Sequence, residues 1–141
     1  MTTYGYPPYL WRKEKDMVEL DIRADCGNSP RREFLKDFNS AFANGDVPYI
    51  TAHLTDDIVW DMVGDKKISG KTDMLKELAL MQDSPVKKMV LHTVVTHGRE
   101  ASANGEMHMA SGDVYAFCDV YTFAKTTGTA IKAITSYVIQ L

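Results

Sequence analysis

The residues best suited to chemistry in this sequence lie on one predicted strand, residues 114–124. Alternate positions on one of its faces carry Tyr115, Phe117, Asp119, Tyr121 and Phe123, whereas the other face carries only small or medium side chains. One carboxyl among four aromatic side chains is typical of an apolar pocket with a single polar group. Because such surroundings disfavour the charged form, we expect a raised pKa for Asp119. The strand therefore predicts a hydrogen-bond donor or proton carrier near neutral pH. The alternative is an architectural aspartate held by a hydroxyl of a neighbouring strand.

Other kinds of site find little support in the sequence. The four histidines have no short metal-binding spacing such as two on one helical turn; they are His53, His92, His97 and His108. There is no glycine-rich phosphate loop, no Gly-x-Ser-x-Gly elbow, and no serine or cysteine visibly paired with a base. We therefore expect neither a metal nor a cofactor, and no covalent catalysis.

Composition narrows the functional classes further. The 141 residues are 45% hydrophobic and 25% charged, as in an ordinary globular domain. A formal charge of −3 provides no basic surface for nucleic acid, and no apolar run is long enough for a membrane span. Cys26 and Cys118 lie far apart in unlike contexts, which predicts free thiols and a cytoplasmic location.

The chain divides into an N-terminal arm, residues 1–28, and a domain, residues 29–141. The arm begins with aromatic and proline residues and continues into a segment that could form a short amphipathic helix. Its aromatic side chains are numerous for a solvated segment, namely Tyr4, Tyr6, Tyr9 and Trp11. We expect the arm to dock on the domain or on a second subunit; the alternative is a partly ordered tail.

Three helices and five strands are predicted in the domain. Ser29 and Pro30 indicate the start of the first helix, and Gly45 indicates its end. Asp46 can cap a second helix, and residues 70–82 form a third, with Met74, Leu75, Leu78 and Met81 as its buried stripe. Residues 58–63 form a strand, and from Val86 four runs of period two predict an antiparallel meander. This order favours an α+β fold with helices on one face of a strongly bent sheet.

Three segments together resemble a known superfamily. They are residues 42–46 (Phe-Ala-Asn-Gly-Asp), 55–60 (Thr-Asp-Asp-Ile-Val-Trp) and 68–71 (Ile-Ser-Gly-Lys), with Gly64 before the last. In order and spacing they resemble the nuclear transport factor 2-like superfamily, in its SnoaL-like and ketosteroid-isomerase-like branch. The likeness covers residues 30–141. It implies a cone-shaped, cystatin-like domain, with three helices packed on a bent, mainly antiparallel sheet around a pocket, and a homodimer formed through the outer sheet face.

The resemblance also suggests roles for single residues. Residues 119–123 (Asp-Val-Tyr-Thr-Phe) look like the isomerase segment whose aspartate lies in the oxyanion hole. The isomerase tyrosine falls at Phe38, which has no hydroxyl. Losing one such donor costs on the order of 2.7–4 kcal/mol of transition-state stabilisation, so we do not expect the familiar route of steroid isomerisation. Phe38 then becomes part of the pocket lining.

The partner base of the isomerases has two alternatives in residues 61–64. Counting back from Gly64 places Asp61 at the base position, whereas counting forward from the Asp-Asp pair places Met62 there. The forward count needs no gap within the strand and directs Trp60 and Met62 inward, with Asp61 on the opposite face. We favour Trp60 and Met62 as pocket lining and retain Asp61 as the second candidate base.

Two functions fit these observations. One is an isomerase- or lyase-like enzyme that moves a proton with Asp119, without a metal, on a small apolar carbonyl or polycyclic substrate. The other is a non-catalytic ligand-binding or dimerisation module of the same fold. A second ionisable or hydroxyl group within about 3 Å of a substrate atom would distinguish the enzyme from the binder.

Overall fold

A seven-stranded mixed sheet forms the body of the protein in the computed structural model, which describes residues 17–141. In chain order the strands are β1 Glu19–Ile22, β2 Leu54–Met62, β3 Lys66–Ser69, β4 Val86–His97, β5 Glu100–Met109, β6 Val114–Phe123 and β7 Ile131–Gln140. Their order in the sheet is β1-β4-β5-β6-β7-β2-β3. Strands β4 to β7 form the predicted antiparallel meander, while β1 is parallel to β4 and β2 is parallel to β7.

Helix α1, Pro30–Asn44, begins and ends at the predicted residues. The Ser29 side chain accepts a hydrogen bond from the backbone N–H of Arg32, and proline occupies the first turn. Gly45 ends the helix with φ of 70°, a left-handed conformation that glycine adopts without a steric penalty. These local signals fix the helix that lies across the inner face of the sheet.

Helices α2, Val47–Ala52, and α3, Lys71–Met81, complete the three predicted helices. On α3 only Met74 and Leu78 are buried, so the predicted stripe was too wide. Leu75 and Met81 are both 40% exposed, because α3 lies at the margin of the domain and packs mainly against α2, β2 and β3. No helix within residues 17–141 is long and apolar enough to cross a membrane.

The core lies between α1 and the inner face of the sheet. The rings of Phe34, Phe38 and Phe42 follow one side of α1, with centroids 5.6 and 5.3 Å apart. Phe38 also contacts Tyr121 of β6 edge to face, with centroids 6.2 Å apart. The helices thus cover one face of a bent α+β cone, which confirms the predicted fold class.

Two strands were not predicted from the sequence. Residues 19–22 of the arm form β1, whose backbone pairs with β4 from Glu19 opposite Lys88 to Ile22 opposite Leu91. This end of the proposed arm helix is therefore extended, and residues 1–16, which include the aromatic tip, lie outside the described part of the chain. Strand β3 has only four residues and pairs with β2 at the sheet edge, which is too short for a period-two signal.

Candidate functional site

A cavity of about 1000 Å³ opens between the helices and the inner face of the sheet. Its closed end is formed by buried side chains, namely Phe38, Trp60, Phe117, Tyr121 and Ile134. Its open end lies between the β2–β3 turn and the end of α3, where Val63, Leu80 and Met81 are exposed. The volume is at the upper end of the range usual for small-molecule sites, and most lining side chains are apolar.

The structure brings most of the predicted pocket residues to this cavity. The wall includes Phe38, Trp60, Met62, Tyr115, Phe117, Asp119 and Tyr121. Phe123 is not part of it; the ring is fully buried in the core, 6.1 Å from Phe34 between centroids. The inward face of β6 runs past the end of the cavity into the packed core beneath α1, so the last aromatic residue contributes to packing instead.

Asp61, the second candidate base, does not line the cavity. It lies between Trp60 and Met62 on β2, and both of those neighbours face inward. Because successive side chains of a strand point to opposite faces, Asp61 is directed away from Asp119. The structure therefore does not bring the two predicted carboxyls together.

The pKa of Asp119 is raised to about 6. Burial is the main cause, because it removes water from the charged form. Hydrogen bonds from the Ser136 and Tyr121 hydroxyls act in the opposite direction and hold the pKa down. The carboxyl can consequently exist in both protonation states near neutral pH, as an acid–base group must.

Ser136 lies directly opposite Asp119 across the β6–β7 pair. Its Oγ accepts a 2.8 Å hydrogen bond from Nε1 of Trp60. Since an indole N–H can only donate, the serine hydroxyl proton is left to donate elsewhere, and the adjacent carboxyl of Asp119 is its acceptor. Trp60 of β2 thus fixes the direction of the hydrogen bond that runs from Ser136 of β7 to Asp119 of β6.

A second chain of hydrogen bonds reaches Asp119 from α1. The Nδ2 of Asn39 donates to the backbone carbonyl of Leu35 at 2.9 Å and to the Tyr121 hydroxyl at 3.1 Å. A backbone carbonyl can only accept, so the amide nitrogen rather than its oxygen must face Leu35. Tyr121 therefore receives a proton from Asn39 and donates its own to Oδ2 of Asp119 at 3.4 Å.

Asn39 and Ser136 are the site residues that the sequence analysis missed. Both are buried polar residues, 3% and 5% exposed. Asn39 follows Phe38 on the apolar side of α1, and Ser136 is two residues from the inward-facing Ile134 of β7. A polar side chain at an inward position was the available signal, but only the fold shows that both contact the Asp119 group.

The charged side chains of the cavity lie at its open end. Lys66 of β3 forms a 2.9 Å ion pair with Glu77 of α3, and Asp65 precedes it in the β2–β3 turn. In residues 17–141 no group of three or more histidine, cysteine, aspartate or glutamate side chains is arranged to hold a metal ion. At the closed end, one carboxyl supported by two hydroxyls is an arrangement suited to proton transfer.

Similar solved structures share this architecture at low sequence identity. An NTF2-like protein from Cytophaga hutchinsonii is 24% identical, with a TM-score of 0.61 over 77% of this chain and 99% of that one. An LEH-like epoxide hydrolase from M. tuberculosis is 20% identical, with a TM-score of 0.66 over 77% and 82%. The epoxide hydrolase/cyclase-like enzyme SalBIII, of pyran ring formation in salinomycin, is 15% identical, with a TM-score of 0.65 over 77% and 90%. At these identities the likeness shows the fold.

The family can be stated from the sequence itself. Among curated proteins, no sequence matches this chain. The model of the SnoaL-like domain family matches residues 35–131, which contain residues 35–44 of α1, all of β2 and all of β6. The chain therefore belongs to the SnoaL-like domain family.

Proposed function

We propose that the protein is an enzyme that transfers a proton to or from a small apolar molecule bound in the cavity, with Asp119 as its acid–base group. One observation carries the proposal: a carboxyl whose pKa is about 6 lies on the wall of a largely apolar cavity, between two hydroxyl donors. A group that titrates near the working pH is the most effective acid–base catalyst. The apolar lining suits a substrate that carries few polar groups.

The reacting group of the substrate is proposed to be a carbonyl or an epoxide oxygen. Neutral Asp119 can protonate such an oxygen, and the resulting carboxylate can take a proton back from the substrate or from water. The epoxide hydrolase from M. tuberculosis and the cyclase-like SalBIII share the fold, which supports oxygen chemistry of this kind. Because Asp61 is directed away from the cavity, Asp119 alone must both donate the proton and accept it, as in an isomerisation or an elimination.

The second candidate is a protein that binds such a molecule without changing it. The observation in its favour is that, within residues 17–141, no second carboxyl or basic side chain acts on Asp119; the hydroxyls of Tyr121 and Ser136 already donate to it. In that case Asp119 would orient the ligand by one hydrogen bond. The two candidates differ in turnover and not in affinity.

The test compares Asp119→Asn with the matched control Asp65→Asn, which removes an exposed carboxyl at the other end of the same cavity. Both variants and the unmodified protein are incubated with a panel of apolar ketones and epoxides, and products are measured by mass spectrometry. We expect turnover that Asp119→Asn lowers by about 10²–10⁴-fold, while Asp65→Asn retains it. Full turnover in Asp119→Asn would reject the acid–base role, and binding without any turnover would favour the second candidate.

The assembly is proposed to be a homodimer formed through the outer face of the sheet. Val120, Tyr137 and Ile139 are exposed on β6 and β7, by 37%, 50% and 66%, and an apolar surface of this kind favours a protein contact. Sedimentation at micromolar concentration tests this, and a monomer would reject it.

The free thiols of Cys26 and Cys118 support a reducing compartment such as the cytoplasm.

A further inference from the structure

The hydrogen-bond donors at the closed end of the cavity are almost all consumed within the protein. Asn39 uses both protons of its amide nitrogen on Leu35 and Tyr121, and Trp60 uses its single N–H on Ser136. The two hydroxyls that receive these protons donate in turn to Asp119. Both chains therefore start at a donor and end at the same carboxyl.

Within residues 17–141, no other side-chain donor of the cavity wall bonds to Asp119, Tyr121 or Ser136. The remaining ones among the described residues lie toward the mouth or are already paired: Asn44 donates to Ser40, Gln82 to Gly45 and Lys66 to Glu77, and Ser84 follows α3. Tyr115 shares the face of Asp119 on β6 but lies four residues away, which is about 13 Å along a strand. A ligand at the closed end thus meets one donor whose presence depends on pH, namely the proton of Asp119.

Among residues 17–141, no charged group contributes to the pKa shift of that carboxyl. The elements packed around it contribute Asn39 from α1, Trp60 from β2, Ala103 from β5 and Ser136 from β7. Within β6 itself, burial raises the pKa of Tyr121 well above its usual range, so its hydroxyl stays neutral. The charges of Asp65, Lys66 and Glu77 are at the open end.

We propose that the closed end selects its ligand by the protonation state of Asp119, with Asn39 and Trp60 as the positioning residues that direct the Tyr121 and Ser136 hydroxyls onto its carboxyl. Neutral Asp119 can donate to an oxygen that carries no hydrogen, as in a ketone, an epoxide or an ether. Ionised Asp119 has no proton to give and repels the lone pairs of such an oxygen. An alcohol is held in both states, because its hydroxyl can accept from the acid or donate to the carboxylate.

This inference rests on the proposed role of Asp119 and narrows the substrate class to acceptor-only oxygen compounds. Since the carboxyl titrates at about pH 6, these compounds should bind tightly below that pH and weakly above it. The fraction of neutral carboxyl that can donate falls steeply between pH 5 and pH 8, and the apparent affinity for a ketone falls with it. The expected loss in ketone affinity is therefore on the order of tenfold or more between pH 5 and pH 8.

The experiment uses the full chain and a matched pair of rigid probes, adamantan-2-one and adamantan-2-ol. Dissociation constants are measured by calorimetry at pH 5, 6, 7 and 8. We expect the ketone to weaken on the order of tenfold or more across this range and the alcohol by less than about threefold. By linkage, bound ketone should also raise the pKa of Asp119 in an NMR titration, and bound alcohol should not.

Two variants separate positioning from general damage to the cavity. Asn39→Leu withdraws the proton that polarises Tyr121, so the midpoint of the ketone curve should move to higher pH together with the pKa of Asp119. Asn44→Leu alters another asparagine of α1 that lines the same cavity but bonds only to Ser40, and it should leave the midpoint unchanged. Equal shifts in both variants would reject the positioning role.

Asp119→Asn should abolish the pH dependence of ketone binding. A ketone and an alcohol with the same pH dependence, or a dependence that survives in Asp119→Asn, would overturn the inference. Such a result leaves the proposed function standing if Asp119→Asn still loses turnover. Conversely, a clear ketone switch without turnover in any assay would support the inference and reject the enzyme.

Discussion

Nε1 of Trp60 lies 2.8 Å from Oγ of Ser136, and Ser136 in turn faces Asp119 across the β6–β7 pair. The indole can only donate, so it directs the serine proton onto the carboxylate. A residue of β2 thereby influences the charge of a residue of β6, with β7 between them. Two opposing effects, burial and directed hydrogen bonds, set the pKa of Asp119.

The first prediction tests this balance. Ser136→Ala removes a hydrogen bond to the charged form of Asp119, which contributes about 1.5 kcal/mol or more, so the pKa should rise by about one unit. Trp60→Phe should raise it by less, because the serine hydroxyl remains but is no longer polarised. Carboxyl chemical shifts followed by NMR from pH 3 to pH 9 give the values. Ser84→Ala, on the same cavity, is the control, and an unchanged pKa in Ser136→Ala would refute the directed bond.

The second prediction concerns the end of the domain opposite the cavity mouth, where Arg31 joins α1 to two turns. Its guanidinium donates to the carbonyls of Gly98, Lys125 and Gly128 at 2.6, 2.8 and 3.0 Å. It also lies 4.0 Å from the centre of the Phe123 ring. Arg31→Met should lower the free energy of unfolding by about 1–2 kcal/mol, measured by urea denaturation.

Arg32→Met is a matched control for this prediction, since within residues 17–141 the side chain of this neighbouring arginine makes a single hydrogen bond, to the carbonyl of Asp25 at 3.1 Å. Its loss should cost less than about 0.5 kcal/mol, as usual for a surface position. If both variants lose equal stability, the three-carbonyl contact has no special importance.

The third prediction concerns Gly105, at the place where β4 and β5 shift register. A Cβ at this position would lie 1.9 Å from the carbonyl oxygen of Val90, within the backbone of the neighbouring strand. Because backbone cannot move aside as a side chain can, Gly105→Ala should destabilise the protein by more than about 3 kcal/mol. Thermal unfolding with circular dichroism detects this change.

Gly64→Ala provides the comparison, because a Cβ there meets no atom within 4 Å and only the positive φ of 83° is unfavourable. The loss of stability should be clearly smaller than in Gly105→Ala. A stable Gly105→Ala protein would show that the strands can separate at the register shift.

The parts of the fold that the sequence predicted are those with local causes. The limits of α1 follow from Ser29, Pro30 and Gly45, whose preferences act within a few residues. The period of two on β6 placed Asp119 and its aromatic neighbours on one face. Strands β1 and β3 were missed because each is only four residues long and depends on a partner distant in sequence.

The site was predicted only in part for the same reason. Asp119 was evident from its own strand, but its contacts come from Asn39 and Ser136, which are distant in the chain. On α1, sequence alone does not distinguish Asn39, which bonds to Tyr121, from Asn44, which bonds to its own helix. Only the register of β6 with β7 and the position of α1 above them select the correct polar residues.

The last prediction gives the effect of Asp119 on stability as a function of pH. The folded pKa of about 6 exceeds the ordinary value of 3.8, so between these values the folded protein holds a proton that the unfolded chain has released. Stability therefore falls as pH rises from about 4 to about 6 and stays lower above that range. A shift of two units corresponds to roughly 3 kcal/mol at most.

Asp119→Asn removes this dependence, because an amide has no proton to release in either state. The variant should match the unmodified protein near pH 4 and be equally or more stable at pH 7, in urea denaturation measured at each pH. Asp65→Asn should show no such crossover, since its carboxyl is exposed. If Asp119→Asn is instead less stable than the unmodified protein at pH 7, and compares no better with it there than at pH 4, the ionised carboxylate stabilises the fold. Asp119 would then be an architectural residue held by Ser136 and Tyr121, and the proposal that it carries a proton would fail.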